Sequence, residues 1–120
     1  MEKLRILLME DEALISIFLA DLLEEMGYEV CGIATTETGT VEDARKHKPD
    51  LLIVDANLRE GSGLNAVSII LADGFVPHIF MSADRLTNEN LNPRAVILRK
   101  PFSDAALEGA IKAALAHALV

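Results

Sequence analysis

Glu10-Asp11, Asp55, Ser82 and Lys100 each stand at the end of a short, largely apolar run in this chain of 120 residues. Asp55 closes Leu51-Leu52-Ile53-Val54, a run flanked by Pro49-Asp50 before it and by a polar, glycine-containing stretch from Asn57 to Gly63 after it. Four apolar residues in a row, two of them β-branched, read as a central strand of a parallel sheet, buried on both faces. The other three runs have the same character. In a parallel sheet all four ends share one edge, and open α/β sheets bind ligands in the crevice at that edge. Three carboxylates, a hydroxyl and an ammonium would then converge. Carboxylates this close repel one another unless a cation sits among them. A hard, oxygen-seeking ion such as Mg²⁺, held by a few carboxylates with waters and a phosphate, is the natural filler. Lys100 offers a point charge to a phosphoryl oxygen, and Ser82 a hydrogen bond.

The elements that must hold these groups can be read in order. Residues 4–9, 28–33, 51–55, 76–81 and 95–99 read as strands. Ile15, Phe18, Leu19, Leu22 and Met26 recur at three and four positions, which predicts one buried helix face, and Gly27 lies where a glycine would stop that helix. A weaker helix spans 36–48, with Val41 and Ala44 apolar and Gly39 near its start. Val67, Ile70 and Leu71 restore helical spacing across 64–72, and Gly74 marks the end. Residues 84–93 fall where the alternation requires a helix. Thr87, Asn88, Asn90 and Asn92 compete there through local hydrogen bonds, so one or two irregular turns are expected. Ser103 can cap a last helix reaching about residue 119. Strands alternating with helices predict right-handed parallel βα units in a single doubly wound α/β domain.

Composition narrows the function. A net charge of -8 argues against direct contact with nucleic acid, which draws on clustered lysine and arginine. The one cysteine, Cys31, cannot make an internal disulfide and reads as a small buried hydrophobe. No run is long enough to span a bilayer and no signal peptide is visible, so a soluble, cytoplasmic protein is expected. Gly61-Ser62-Gly63-Leu64-Asn65-Ala66 fits a dinucleotide fingerprint, but it does not follow the first strand, and its glycines read as loop-shaping. His47, His78 and His117 have no ligand spacing; His78 reads as a strand residue with a hydrogen-bond partner, the others as surface groups. The last helix is rich in alanine, from Ala105 to Ala118. Alanine is the best helix former; the alternative is a low-polarity face on which a partner or a second copy docks to make a homodimer.

The series Glu10-Asp11, Asp55, Ser82 and Lys100-Pro101-Phe102 resembles the receiver domain of bacterial two-component response regulators, and the likeness runs through residues 1–120 in order. The resemblance implies a flavodoxin-like (βα)5 domain with strand order 2-1-3-4-5. It implies that Asp55 accepts a phosphoryl group from a histidine kinase, a phosphotransfer protein or a small phosphodonor. It further implies that Asp11, the Asp55 carboxylate and the backbone carbonyl of Asn57 ligate Mg²⁺, with Glu10 acting through water. Ser82 and Lys100 would contact the phosphoryl oxygens, and Lys100-Pro101 would be a cis peptide. The chain departs from the family at three places. Ile97 replaces the usual aromatic three residues before the lysine, Leu58-Arg59 replaces a common Met-Pro, and the span from Ser82 to Lys100 is roughly one helical turn short.

The expectation is a stand-alone, phosphorylation-dependent signalling module that switches its binding to a downstream protein and is not an enzyme in its own right. Two alternatives belong to other classes. One is a Mg²⁺-dependent phosphohydrolase with an aspartyl-phosphate intermediate, which usually carries its nucleophile on the first strand and adds a cap. The other is a pseudo-receiver scaffold that is never phosphorylated.

Overall fold

The structure is a computed structural model, and it describes residues 2–58, 60–84, 86 and 91–118. Five strands form one sheet: β1 (Arg5–Met9), β2 (Glu29–Ala34), β3 (Leu51–Asp55), β4 (His78–Ser82) and β5 (Val96–Arg99). Their order is β2-β1-β3-β4-β5, and every neighbouring pair is parallel. This is the doubly wound topology the sequence predicts. The continuous apolar runs are explained by what lies on each face. On β1, β3 and β4, Ile6, Leu8, Leu51, Ile53, Ile79 and Met81 point into one core, while Leu7, Met9, Leu52, Val54 and Phe80 point into the other. A strand covered on both faces has no polar side to alternate with.

Four helices lie among the described residues: α1 (Ala13–Glu25), α2 (Glu37–His47), α3 (Gly63–Ala72) and α4 (Asp104–His117). The hydroxyls of Thr36, Ser62 and Ser103 cap α2, α3 and α4 by accepting the N–H groups of Gly39, Asn65 and Ala106. Each satisfies a donor that the first helical turn would otherwise leave open. In α4, Leu107, Ala110, Ile111 and Ala114 turn into the core, so much of its apolar content is used internally.

Two expectations need correction. The buried face of α1 consists of Ser16, Leu19, Ala20 and Leu23, with Leu22 and Met26 of the expected stripe half-buried against the same core and Ile15 and Phe18 turned outward. Small residues let the helix approach the sheet, and Leu14, Ile15, Ile17 and Phe18 are left exposed, Phe18 at 76%. Of residues 84–93, where the alternation calls for a helix and one or two irregular turns are expected, positions 85 and 87–90 lie outside the described residues. The described residues of that stretch, Asp84, Leu86 and positions 91–93, are not helical. His47 and His117 are half-buried rather than surface groups, and the His117 ring lies 3.2 Å from the carbonyl of Arg94. Among the described residues no helix is long and apolar enough to cross a membrane.

Candidate functional site

Parallel pairing brings the carboxyl ends of β1, β3, β4 and β5 to one edge of the sheet, with Glu10-Asp11, Asp55, Ser82 and Lys100 on it. Asp55 is buried, and both its oxygens are engaged: Oδ2 accepts from Lys100 Nζ at 2.9 Å, and Oδ1 accepts from the Asn57 N–H at 3.0 Å. The same ammonium donates to Glu10 Oε2 at 3.3 Å. The Glu10 side chain is fully buried, and its other oxygen accepts the Glu12 N–H at 3.3 Å.

Glu10, Asp11 and Asp55 each bring a carboxylate oxygen within 4.8 Å of the others. Burial pushes the Glu10 carboxyl up, and the charge of Asp55 adds to that push, against the pull of Lys100. Burial by itself would depress the Lys100 ammonium. Its hydrogen bond to Asp55 and the negative charges of Glu10 and Asp55 outweigh this and raise it. Lys100 is therefore held cationic between two carboxylates. Among the described residues three carboxylates meet here, and an all-oxygen donor set of this kind suits a hard divalent cation.

Local backbone chemistry fixes these positions. The Lys100 N–H donates to the Ser82 carbonyl at 2.8 Å, tying the end of β5 to that of β4, and the Lys100-Pro101 bond is cis as the resemblance implies. Ser82 is buried, and its hydroxyl is engaged in its own turn, donating to the Asp84 carbonyl at 2.7 Å and accepting the Asp84 N–H at 3.2 Å. Gly63 opens α3 directly behind Asp55: a Cβ there would collide with the Asp55 carbonyl oxygen. The glycines of the apparent dinucleotide fingerprint therefore serve packing and loop shape. Ile97 is partly exposed on β5, an aliphatic at the position where the family usually has an aromatic.

One contact was not foreseen. The Glu37 carboxylate, at the start of α2, accepts the Ser62 N–H at 2.9 Å and the Asn65 side-chain N–H at 2.7 Å. These partners are 25 and 28 positions away in sequence, so no spacing rule could have shown them.

Comparison with known proteins agrees with this geometry. The family model for the response regulator receiver domain matches residues 6–112. The transcriptional regulatory protein PdtaR of Mycobacterium tuberculosis is 38% identical over 119 residues, covering 94% of this chain and 57% of PdtaR. The phyllosphere-induced regulator PhyR of Methylorubrum extorquens is 42% identical over 115 residues, covering 92% of this chain and 43% of PhyR. The chain thus spans about half the length of the curated relatives it matches. The solution structure of the PhyR receiver (REC) domain from Erythrobacter litoralis superposes with a TM-score of 0.84 at 35% identity, over 94% of this chain and 90% of that one. With sheet order, acidic cluster and lysine all in agreement, the chain belongs to the response regulator receiver domain family of two-component signalling.

Proposed function

We propose that this domain accepts a phosphoryl group on Asp55 in a Mg²⁺-dependent reaction and thereby switches its affinity for a downstream protein. The observation that carries this reading is the Lys100 ammonium 2.9 Å from Asp55 Oδ2, inside a cluster of three carboxylates. An Asp55 oxygen forms a bond to phosphorus as the P–N bond of a donor phosphohistidine breaks, and the departing imidazole takes a proton. Bound Mg²⁺ would supply charge neutralisation for the transferring group. Asp11, the Asp55 carboxylate and the Asn57 backbone carbonyl would hold it, with Glu10 acting through water. Lys100 stays beside the acyl phosphate and pairs with a phosphoryl oxygen. Ser82 exchanges its bond to Asp84 for one to the phosphoryl group, drawing the chain after β4 toward the site. The new charge and acceptor oxygens bias that segment, and a partner reads the altered surface.

The donor is a histidine kinase or a phosphotransfer protein. A groove of about 450 Å³, lined in part by Ile15, Phe18, Leu22, Pro101 and Phe102, runs up to Lys100. Exposed apolar surface of this kind marks protein contact, and here it adjoins the residue that must meet the donor. Incubation with acetyl phosphate and Mg²⁺ is expected to give one stoichiometric label, absent in Asp55→Asn. Labelling that survives the substitution overturns the reading, and multiple-turnover hydrolysis of phosphomonoesters favours a hydrolase instead.

A further inference from the structure

The stretch between β3 and α3 carries Asn57, whose N–H already donates to Asp55 Oδ1. Among the described residues its other arm is held by a Gly63 N–H bond to the Ala56 carbonyl at 3.2 Å and by α2. Glu37 Oε1 accepts the Ser62 N–H at 2.9 Å, and Oε2 accepts from Asn65 Nδ2 at 2.7 Å. The Glu37 N–H in turn donates to the Glu60 carbonyl at 3.4 Å. Ser62 both caps α3, through its hydroxyl to the Asn65 N–H, and pairs with Asn57 in an isolated antiparallel bridge. Gly61 has a φ of +90°, and a Cβ there would come within 2.6 Å of Glu37 Cβ, so the loop and the carboxylate are fitted to each other. The carboxylate therefore fixes one strand of the bridge whose opposite member is Asn57.

We propose that Glu37 is a positioning residue for the cation at Asp55. By clamping Ser62 and Asn65 it sets the path of the loop, and with it the direction of the Asn57 carbonyl. This inference rests on the phosphoryl-acceptor reading above. Partners that orient a metal ligand from outside typically cost about 10–100-fold in affinity when removed.

The test is a two-dimensional ¹H–¹⁵N NMR titration with MgCl₂, following the amides of Asp55 to Asn57, on the wild type, Glu37→Ala, Asn65→Asp and Glu37→Gln/Asn65→Asp. Asn65→Asp sets two carboxylates against each other. The double variant reverses the polarity of the contact and keeps the wild-type net charge. In it a side-chain amide on α2 donates to a carboxylate on α3, while its carbonyl oxygen still accepts the Ser62 N–H. Expected are Mg²⁺ dissociation constants raised about tenfold in Glu37→Ala and Asn65→Asp, and restored to within about threefold in the double variant. Core amides of β1 and β3 serve as the check on folding. If Glu37→Ala does not fold, the pair of Asn65→Asp and the double variant decides the matter. Wild-type affinity in the single variants overturns the clamp, as does an affinity lost in Asn65→Asp that the double variant does not recover. A wild type whose Asp55 to Asn57 amides do not respond to Mg²⁺ overturns the acceptor reading, and the clamp with it.

Discussion

His78 shows how a residue can be placed by pattern and still hold a liability. Its ring is fully buried on β4, between Phe75 and Phe80 at centroid distances of 5.8 and 5.4 Å. Nδ1 lies 2.8 Å from the Val76 carbonyl, so it carries the proton, and Nε2 is buried with no partner among the described residues. Burial depresses the imidazole below its ordinary value, and the Arg94 charge pushes the same way against the Val76 bond. Below about pH 6.5 the unfolded chain takes up a proton that the folded chain resists, so stability falls as pH falls through that window. His78→Phe keeps the aromatic packing and removes the titration. Urea midpoints at pH 7.5 and 5.5 are expected to show the wild type losing about 1 kcal/mol more than the variant over that interval. Glu10, whose carboxyl is raised, works in the opposite direction in both proteins, so the difference isolates His78. The sequence showed that His78 belongs to a strand and has a hydrogen-bond partner; the partner is the Val76 carbonyl two positions away, and the burial that leaves Nε2 without one is a matter of packing that spacing does not show.

At the scale of elements, α1 is where periodicity misled. Its sequence ALISIFLADLLEE is apolar around most of its circumference, so spacing alone could not choose a face. Contact distance chose it: Ser16 and Ala20 admit the sheet, and the large residues were displaced outward. That displacement places Phe18 beside the groove that leads to Lys100. Phe18→Ser, at a position 76% exposed, is expected to change stability by less than about 0.5 kcal/mol. Labelling by acetyl phosphate should be unchanged, while transfer from a phosphorylated histidine-containing donor slows about tenfold, a loss of about 1.4 kcal/mol. Equal slowing with both donors counts against a donor surface here. The 84–93 stretch is the other element its own residues do not settle, since Asn88, Asn90 and Asn92 favour local hydrogen bonds over a helix. The caps at Thr36, Ser62 and Ser103 obey a local rule; of these, Ser103 could be named in advance.

The whole molecule is legible for a topological reason. Once five apolar runs alternate with helices, right-handed crossovers force a parallel sheet, and a parallel sheet forces every strand end to one edge. Glu10, Asp11, Asp55, Ser82 and Lys100 needed no other information to be brought together. A chain of net charge -8 gathers the carboxylates of Glu10, Asp11 and Asp55 at that edge, and repulsion between like charges weakens the compact state. MgCl₂ is therefore expected to raise the thermal unfolding midpoint more than NaCl at matched ionic strength. Each tenfold excess over the dissociation constant adds about 1.4 kcal/mol. Asp11→Asn should remove most of that difference, and an equal response to both salts would mean that the acids hold no specific cation.

The turn at Ser82 also bears on how silent the unmodified protein can be. Two neutral hydrogen bonds, from its hydroxyl to the Asp84 carbonyl at 2.7 Å and from the Asp84 N–H to its hydroxyl at 3.2 Å, keep it at rest. At about 1 kcal/mol net apiece they leave the hydroxyl loose in roughly one molecule in thirty. A latch that weak leaks. Under the acceptor role proposed above, background binding to a downstream protein should therefore persist without a donor, at a level set by how steeply that protein discriminates between the two forms.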